Sequence, residues 1–172
     1  MQYADFAFTT FRNMLAMTIH LIAKAEEAGK GADLLDARLA EDMFPLARQI
    51  TIVGWQVNDM LNRCAGTQFA QAEDDPRTLA EGRDYLASVG ARLEGIDAGA
   101  CAAEDQTIGF DLPMGIGFEL TAGQYVRDWA IPQFYFHVMT IYAILRSQGV
   151  DLGKRDYVPY MMQYLKPGST LG

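Results

Sequence analysis

Apolar residues recur in steps of three and four along residues 5–28, which predicts the buried seam of a long helix packed against other helices. The positions are Phe8, Phe11, Leu15, Thr18, Ile22 and Ala25. A second helical pattern begins between Glu41 and Pro45 and ends at Gly66. Its predicted inner face is Leu46, Ile50, Val53, Val57, Met60 or Leu61, and Cys64. Its predicted wetter side is Arg48, Thr51, Gln56, Asn58, Asn62 and Arg63.

The third helical pattern has two possible starts. Asp75 and Pro76 supply an N-cap and a first-turn proline, whereas Thr78 with Glu81 offers a capping box. Its predicted buried side is Leu79, Leu86, Val89, Leu93 and Ile96. The fourth pattern runs from Pro132, at a predicted first turn, to a stop at Gly149. Its inner face is Phe134, Val138, Ile141 and Leu145, and His137 lies on the same face.

Residues 107–120 alternate apolar and polar on both sides of a turn at 113–115, which predicts a two-stranded hairpin. Thr121 is the predicted N-cap of a short helical stretch that leads into the last helix. Four helices with one apolar face each must bury those faces against one another. The sequence therefore predicts one all-α domain over residues 1–172, an up-and-down four-helix bundle with a small β-hairpin inserted before the last helix.

The charge of the chain disfavours some partners. Fourteen Lys and Arg against 22 Asp and Glu give a net charge of -8, which repels nucleic-acid phosphates and anionic membrane surfaces. We therefore expect neither a nucleic-acid nor a membrane partner. Cys64 and Cys101 have no paired spacing and are interpreted as reduced thiols. With no signal-peptide pattern and no membrane-length apolar run, the predicted location is cytoplasmic.

His137 is the best functional clue, because a titratable ring on an apolar face points inward. We predict that His137 lines an internal pocket, for which the other candidate residues are Gln133, Trp55, Asp59, Tyr142 and Arg146. Its candidate hydrogen-bond partners within helical reach are Gln133, Tyr142, Asp59 and Trp55. An inward histidine is more often a hydrogen-bonded core residue than a metal ligand. His20, the other histidine, falls on the outer side of the first helix and is interpreted as solvated.

Trp55 and Asp59 share one stripe of the second helix, four residues apart. Either they line a groove or Trp55 caps the core, and packing is the favoured interpretation for a large aromatic residue. The segment from Val158 to Leu165 is apolar and must dock on its own bundle or on a second subunit. We take it as an indication of a homodimer.

Several blocks resemble a bacterial family known as a domain of unknown function, within the DinB-like (DinB/YfiT) four-helix-bundle superfamily. The blocks are residues 37–46 with Gln49, residues 132–137, residues 142–146 and residues 152–156. They follow one another in the family's order, from the first helix to about Asp156. The apolar tail after Val158 lies outside the resemblance.

The resemblance implies a divalent metal, zinc or nickel, held by one histidine from the second helix and a pair four apart on the last helix. It also implies thiol-dependent transferase or hydrolase chemistry in several relatives. By position, His137 matches the last helix and Gln133 stands where the other histidine of the pair would be. Closer relatives have an aspartate near Trp55 and a histidine near Ser147, and this sequence has neither.

Two functions follow from these observations. The first is a homodimeric bundle that binds a small molecule or has a structural role, without a complete metal site. The alternative is a metal-dependent enzyme of the DinB-like kind, a thiol-dependent transferase or hydrolase. In it His137 would act as ligand or general base, with Asp59, Tyr142 and Arg146 as neighbours.

Overall fold

The computed structural model describes residues 3–113 and 115–169. In chain order the helices and strands are α1 (Tyr3–Glu27), α2 (Leu46–Cys64), α3 (Leu79–Glu94), β1 (Thr107–Leu112), β2 (Ile116–Thr121), α4 (Ala122–Gln124), α5 (Ile131–Ser147) and α6 (Lys154–Tyr157). A π-helical segment, Tyr125–Ala130, joins α4 to α5. Short 3-10 turns lie at Ala32–Asp36, Ala98–Ala100 and Pro159–Tyr164. The predicted helical bundle, with its hairpin before the last helix, is confirmed.

Pairs of side chains in contact fix the direction of each long helix. The pairs are Glu26–Arg83 and Arg12–Glu94 for α1 with α3, Gln49–His137 and Asp59–Tyr125 for α2 with α5, and Thr51–Tyr85 and Asn58–Arg92 for α2 with α3. α3 is therefore antiparallel to α1, and α5 is antiparallel to α2. α2 and α3 run in the same direction, so the predicted up-and-down order of the four helices is wrong at this pair.

Each long helix contributes its predicted apolar seam to one core. The rings of Phe11 and Phe134 meet edge to face, with centroids 4.6 Å apart, where α1 packs on α5. The inner face predicted for α2 is buried throughout. The prediction that Thr51 and Asn58 lie on the solvent-facing side of α2 is wrong, because both are fully buried.

Thr51 and Asn58 are buried because the chain returns along α2 before it enters α3. Side chains of one stripe of α2, which we call the return ladder, hydrogen-bond this returning segment, residues 67–75. The bonds join Asn62 to Phe69, Asn58 to Ala70, Trp55 to Ala72, and Thr51 to Asp75. Steps of four, three and four place these four side chains on one helical face. The ladder carries the chain back to the start of α2, so that α3 can run parallel to it.

α3 lies very close to α2 at Gly82. A β-carbon added to Gly82 would lie 3.3 Å from Ile50. At Gly54 of α2 the ring of Tyr85 occupies the space that a β-carbon would need. Thr78 is the N-cap of α3, since its hydroxyl accepts a hydrogen bond from the Glu81 N–H at 3.0 Å. Of the two predicted starts, the Thr78 alternative is therefore the one found.

Pro132 lies in the first turn of α5, as predicted, although the helical run is continuous over residues 122–147. A proline inside an α-helix lacks an N–H and its ring collides with the carbonyl four residues earlier. The segment before it is π-helical, and the Ile131 N–H donates to the carbonyl of Val126, five residues back. The wider π turn lets the helix continue past the proline.

The predicted hairpin is present, with β1 and β2 antiparallel and Phe110 opposite Phe118. The two rings stack with centroids 5.2 Å apart, and both contact Trp129 of the π-helical segment. The hairpin is thereby fixed to the start of the last long helix. Thr121 N-caps that helix with a full capping box, as its sequence predicted.

The chain after α5 folds back on its own bundle as far as Tyr160, which packs against the core. Tyr157 packs edge to face on Tyr142 at 5.6 Å, and Asp156 binds Lys24 at 2.9 Å and His20 at 3.2 Å. His20 is therefore half-exposed and paired with a carboxylate, where solvation alone was predicted. Four apolar residues of the tail stay exposed, namely Met161, Met162, Tyr164 and Leu165.

Within residues 3–113 and 115–169, no helix combines the length and the apolar character that crossing a membrane requires.

Replacing Asn62 by alanine tests the return ladder. Its amide donates to the Phe69 carbonyl at 2.9 Å and accepts from the Thr67 hydroxyl and the Phe69 N–H at 2.8 Å each. We expect Asn62→Ala to lower the free energy of unfolding by about 1–3 kcal/mol, because these partners lose their bonds in a half-buried place. Urea unfolding measures it, with Gln68→Ala, an exposed change in the same segment, as control. Equal losses in the two variants would contradict the ladder.

Replacing Asp156 by asparagine tests the attachment of the tail. Partial burial raises the pKa of this carboxyl, but the bonds from the Gly153 N–H, Lys24 and His20 outweigh it and lower the pKa to about 2. The folded state therefore binds the proton less tightly than the unfolded chain, so the stabilisation is present above about pH 4 and is lost as the pH falls towards 2. We expect Asp156→Asn to cost roughly 1–2 kcal/mol at pH 7.

The pH dependence of urea unfolding measures this difference. Wild type and Asp156→Asn should converge in stability as the pH falls from about 4 to about 2. Asp151→Asn, an exposed change five residues earlier in the same tail, is the control and should match wild type at pH 7. An Asp156→Asn protein as stable as wild type at pH 7 would refute the attachment.

Candidate functional site

His137 lies where α5 packs on α2. Its neighbours on the α5 seam are fully buried, and the histidine itself is 8% exposed. The sequence predicted this inward direction. The imidazole therefore stands at a helix interface and reaches the surface only at its edge.

The partner of His137 is Gln49 of α2. The Nδ1 atom lies 2.7 Å from the Gln49 Oε1 atom, and Gln49 is 1% exposed. The other end of the amide is fixed, since Nε2 donates to the Phe44 carbonyl at 3.1 Å. Gln133, Tyr142, Asp59 and Trp55 were the predicted partners. That prediction is wrong, because the first turn of α2, rather than its middle, lies opposite His137.

This contact decides which nitrogen of His137 carries the proton. An amide oxygen only accepts hydrogen bonds, so Nδ1 must be the N–H donor to Gln49. In the neutral ring Nε2 then has a free lone pair. Every buried side-chain nitrogen or oxygen of the described residues has a hydrogen-bond partner, and Nδ1 holds the bond to Gln49. We conclude that Nε2 is the edge of the ring that reaches the surface.

The imidazole is neutral at physiological pH. Burial between α2 and α5 lowers the pKa of His137 to about 4. The Phe136 ring stands perpendicular to the imidazole with centroids 5.2 Å apart, and both Phe136 and Phe44 are more than half exposed. A neutral nitrogen acceptor beside an exposed aromatic ring can accept a hydrogen bond, take a proton or bind a metal ion.

The residues around His137 do not fit a tightly held divalent metal. Its nearest side-chain neighbour is an amide whose oxygen is already bonded to Nδ1, and Gln133, one turn earlier, offers a second neutral amide. Zinc and nickel sites use histidine, cysteine and carboxylate ligands. In the part of the chain that the structure describes, no group of three such residues is arranged to hold a metal ion.

The six candidate residues occupy several separate places. His137 lies with Gln49, Tyr142 packs against Tyr157 of the tail, and Arg146 is exposed near the end of α5. Gln133 is half-buried on α5. Five cavities of the described residues have walls that do not include His137, and the internal pocket around it stays a prediction.

Trp55 and Asp59 line a cleft between α2 and the hairpin. Of the two interpretations of this pair, the structure supports the groove. Asp59 also accepts hydrogen bonds from Arg63 at 2.8 Å and from the Tyr125 hydroxyl at 2.7 Å. Burial, followed by the nearby Asp59 charge, raises the pKa of Tyr125, which therefore stays a protonated donor.

Gln49 is the residue that the sequence reasoning missed. It lies between Leu46 and Ile50 on a stripe that is otherwise apolar, so its position carried a signal. A polar side chain on a buried stripe must find a hydrogen-bond partner inside the protein. His137 on another buried stripe has the same need, and the two pair where the antiparallel α2 and α5 meet.

Comparison with known proteins gives two similarities. The family model described as Domain of unknown function (DUF1993) matches residues 4–158. A crystal structure of a DinB family member protein from Shewanella denitrificans is 32% identical, with a TM-score of 0.77 over 98% of this chain and 95% of that chain. No curated protein matches the chain significantly. The matched residues end at the start of the tail, as the sequence blocks indicated.

A pH titration of stability tests the buried neutral state of His137. The folded pKa lies below that of the unfolded chain, so between about pH 6.5 and pH 4 the unfolded state binds more protons and stability rises with pH. The slope from one such group is at most about 1.4 kcal/mol per pH unit. We expect His137→Gln to lose this slope, because glutamine does not titrate. Urea unfolding at pH 5 and pH 7 measures it, and parallel slopes would contradict the burial argument.

Proposed function

This chain belongs to the DUF1993 family within the DinB-like superfamily, and we propose that it is a homodimeric bundle that binds a small molecule or has a structural role, without a complete metal site. The observation that carries the proposal is the contact between His137 and Gln49. It gives His137 a neutral amide partner inside the helix interface, where a second ionisable ligand would be needed for a metal. His137 then serves as a neutral acceptor at the rim of the α2–α5 interface.

The dimer is supported by exposed apolar side chains on α5 and the tail beside it. We call these residues the tail patch, namely Phe136, Met139, Met161, Met162, Tyr164 and Leu165. Met139 shares its stripe of α5 with Tyr135 and Tyr142, and Tyr142 contacts the tail at Tyr157. Exposed apolar groups gathered in this way are typical of an interface between proteins.

The alternative is a metal-dependent enzyme of the DinB-like kind that uses His137. One observation favours it, because the Gln49 contact directs the lone pair of Nε2 towards the surface. A histidine that binds a metal is oriented in the same way, by a hydrogen bond on its other ring nitrogen. A cytoplasmic location and the absence of nucleic-acid and membrane partners stay predictions from the sequence.

Metal content separates the two functions. We expect protein purified without a histidine tag to contain metal well below one equivalent by plasma mass spectrometry, because His137 has amide neighbours. His137→Gln should contain the same amount of metal. Its free energy of unfolding should be about 1–3 kcal/mol lower, because a buried hydrogen bond is lost. Stoichiometric zinc or nickel in the wild type that disappears in His137→Gln would favour the enzyme.

Light scattering after size exclusion tests the dimer. At tens of micromolar we expect the mass of two chains, and a shift to one chain in Met139→Glu, because a charge in the tail patch cannot be buried without a partner. Ala91→Glu places the same charge on an exposed position of α3 and should leave the mass unchanged. A monomer mass for the wild type would rule out the dimer.

A further inference from the structure

The cleft beside Trp55 lies apart from His137, between α2 and the hairpin, and we call it the hairpin cleft. Its walls include Trp55, Asp59, Arg63, Gln71, Asp111 and Trp129. The cavity volume is about 180 Å³. At about 30 Å³ per molecule this is the space of roughly six waters, which suits one small organic molecule. Trp55 and Trp129 are the only two tryptophans of the chain, and both line this cleft.

The polar floor of the hairpin cleft is rigid. Asp59 Oδ2 accepts from the Arg63 guanidinium and from the Tyr125 hydroxyl, and Arg63 also donates to the Gly109 carbonyl at 3.2 Å. The guanidinium lies 4.9 Å from the centre of the Phe110 ring. These bonds tie the floor to α2, the hairpin and the π-helical segment together. A ligand would therefore immobilise few side chains when it bound.

The aromatic walls are held with equal firmness. The Trp55 N–H donates to the Ala72 carbonyl at 3.0 Å, so this ring is fixed by the returning segment. Trp129 packs on Phe110 at 5.0 Å and on Phe118 at 5.7 Å. Each wall is thus a fixed, half-buried indole ring, and the Trp55 ring already has the Arg48 guanidinium 4.8 Å from its centre. The face of an indole carries partial negative charge and attracts cations.

Some hydrogen-bonding groups of the cleft are already used within the protein. The N–H of Trp55 and the amide of Gln71 donate to carbonyls of the protein itself, and Arg63 donates to Asp59 and to Gly109. The bonds that described residues make to Asp59 both go to Oδ2, which leaves Oδ1 as an acceptor. A carboxylate acceptor beside aromatic faces is the combination that a cation needs.

The charges favour a cation as well. Asp59 and Arg63 neutralise each other at 2.8 Å, so the exposed carboxylate of Asp111 sets the net charge of the cleft. The chain as a whole carries -8, which attracts small cations and repels anions. We propose that the hairpin cleft binds a small organic cation, an amine or quaternary ammonium group, between Trp55 and Trp129 and beside Asp111. This deepens the binding role proposed above by naming a site and a ligand class.

Intrinsic tryptophan fluorescence is the test, because both tryptophans of the protein line the cleft. We expect choline and tetramethylammonium to change the emission saturably at or below about 10 mM, the range of a weak single site. The uncharged analogue 3,3-dimethyl-1-butanol, which has the shape of choline, should bind at least about fivefold more weakly. Glucose, a neutral polyol, and acetate, an anion, are the negative controls. Neither should change the emission saturably.

Two hairpin variants assign the binding to the cleft. Asp111→Asn should weaken choline binding at least about threefold, because it removes the carboxylate that sets the local charge. Glu119→Gln makes the same charge change on the other strand, away from the cleft, and should bind as wild type does. Both positions are exposed, and thermal unfolding of each variant confirms that it is folded.

Several outcomes would overturn the inference. They are no saturable change with either cation, equal binding of the uncharged analogue, saturation by glucose or acetate, or equal weakening by Asp111→Asn and Glu119→Gln. A response to phosphatidylcholine vesicles without one to free choline would also overturn it, since it would assign the headgroup to a membrane surface. None of these results changes the dimer mass or the metal content, so the proposed function is tested separately.

Discussion

The return of the chain along α2 is the constraint on which the rest of the bundle depends. The returning segment, residues 67–75, is extended against a helix, so its backbone groups need partners that no neighbouring strand supplies. The side chains of Asn62, Asn58 and Trp55 bond its backbone carbonyls, and Thr51 bonds the Asp75 carboxylate at its end. With this segment in place α3 starts beside the start of α2, and the pair runs parallel. That leaves the opposite side of α2 for α5, and brings Gln49 to His137.

Locally determined features could be predicted from the sequence. A glycine with a positive φ ends α2 at Gly66 and follows α5 at Gly149, and a left-handed residue at such a place needs no distant contact. The hairpin has the same local cause, since alternation and a tight turn fix its register. A helical bundle follows from four apolar seams, because packing the four helices together buries all of them. The sequence blocks that resemble the family added the superfamily to the predicted fold.

The features that depend on distant parts of the chain could not be predicted. Thr51 and Asn58 have the spacing of a solvent-facing stripe, and only the returning segment makes them buried. The partner of His137 could not be chosen, because a helical pattern gives a direction and not the depth at which two helices meet. Asp59 was one of the candidates for that reason, although Gln49, ten residues earlier, makes the contact. The π-helical segment before Pro132 had no sequence signal beyond the proline itself.

α2 explains why polar residues were hard to interpret in this chain. Thirteen of its 19 residues are buried, so it has the environment of a central helix although its sequence carries polar groups on several faces. Each polar face meets a different neighbour, with Gln49 towards α5, Asn58 towards the returning segment and Asp59 towards the hairpin. On a central helix a polar residue must be satisfied by a specific partner. Both candidate sites, the His137–Gln49 contact and the hairpin cleft, therefore lie along α2. At each of them the partner of a polar α2 residue reaches the protein surface.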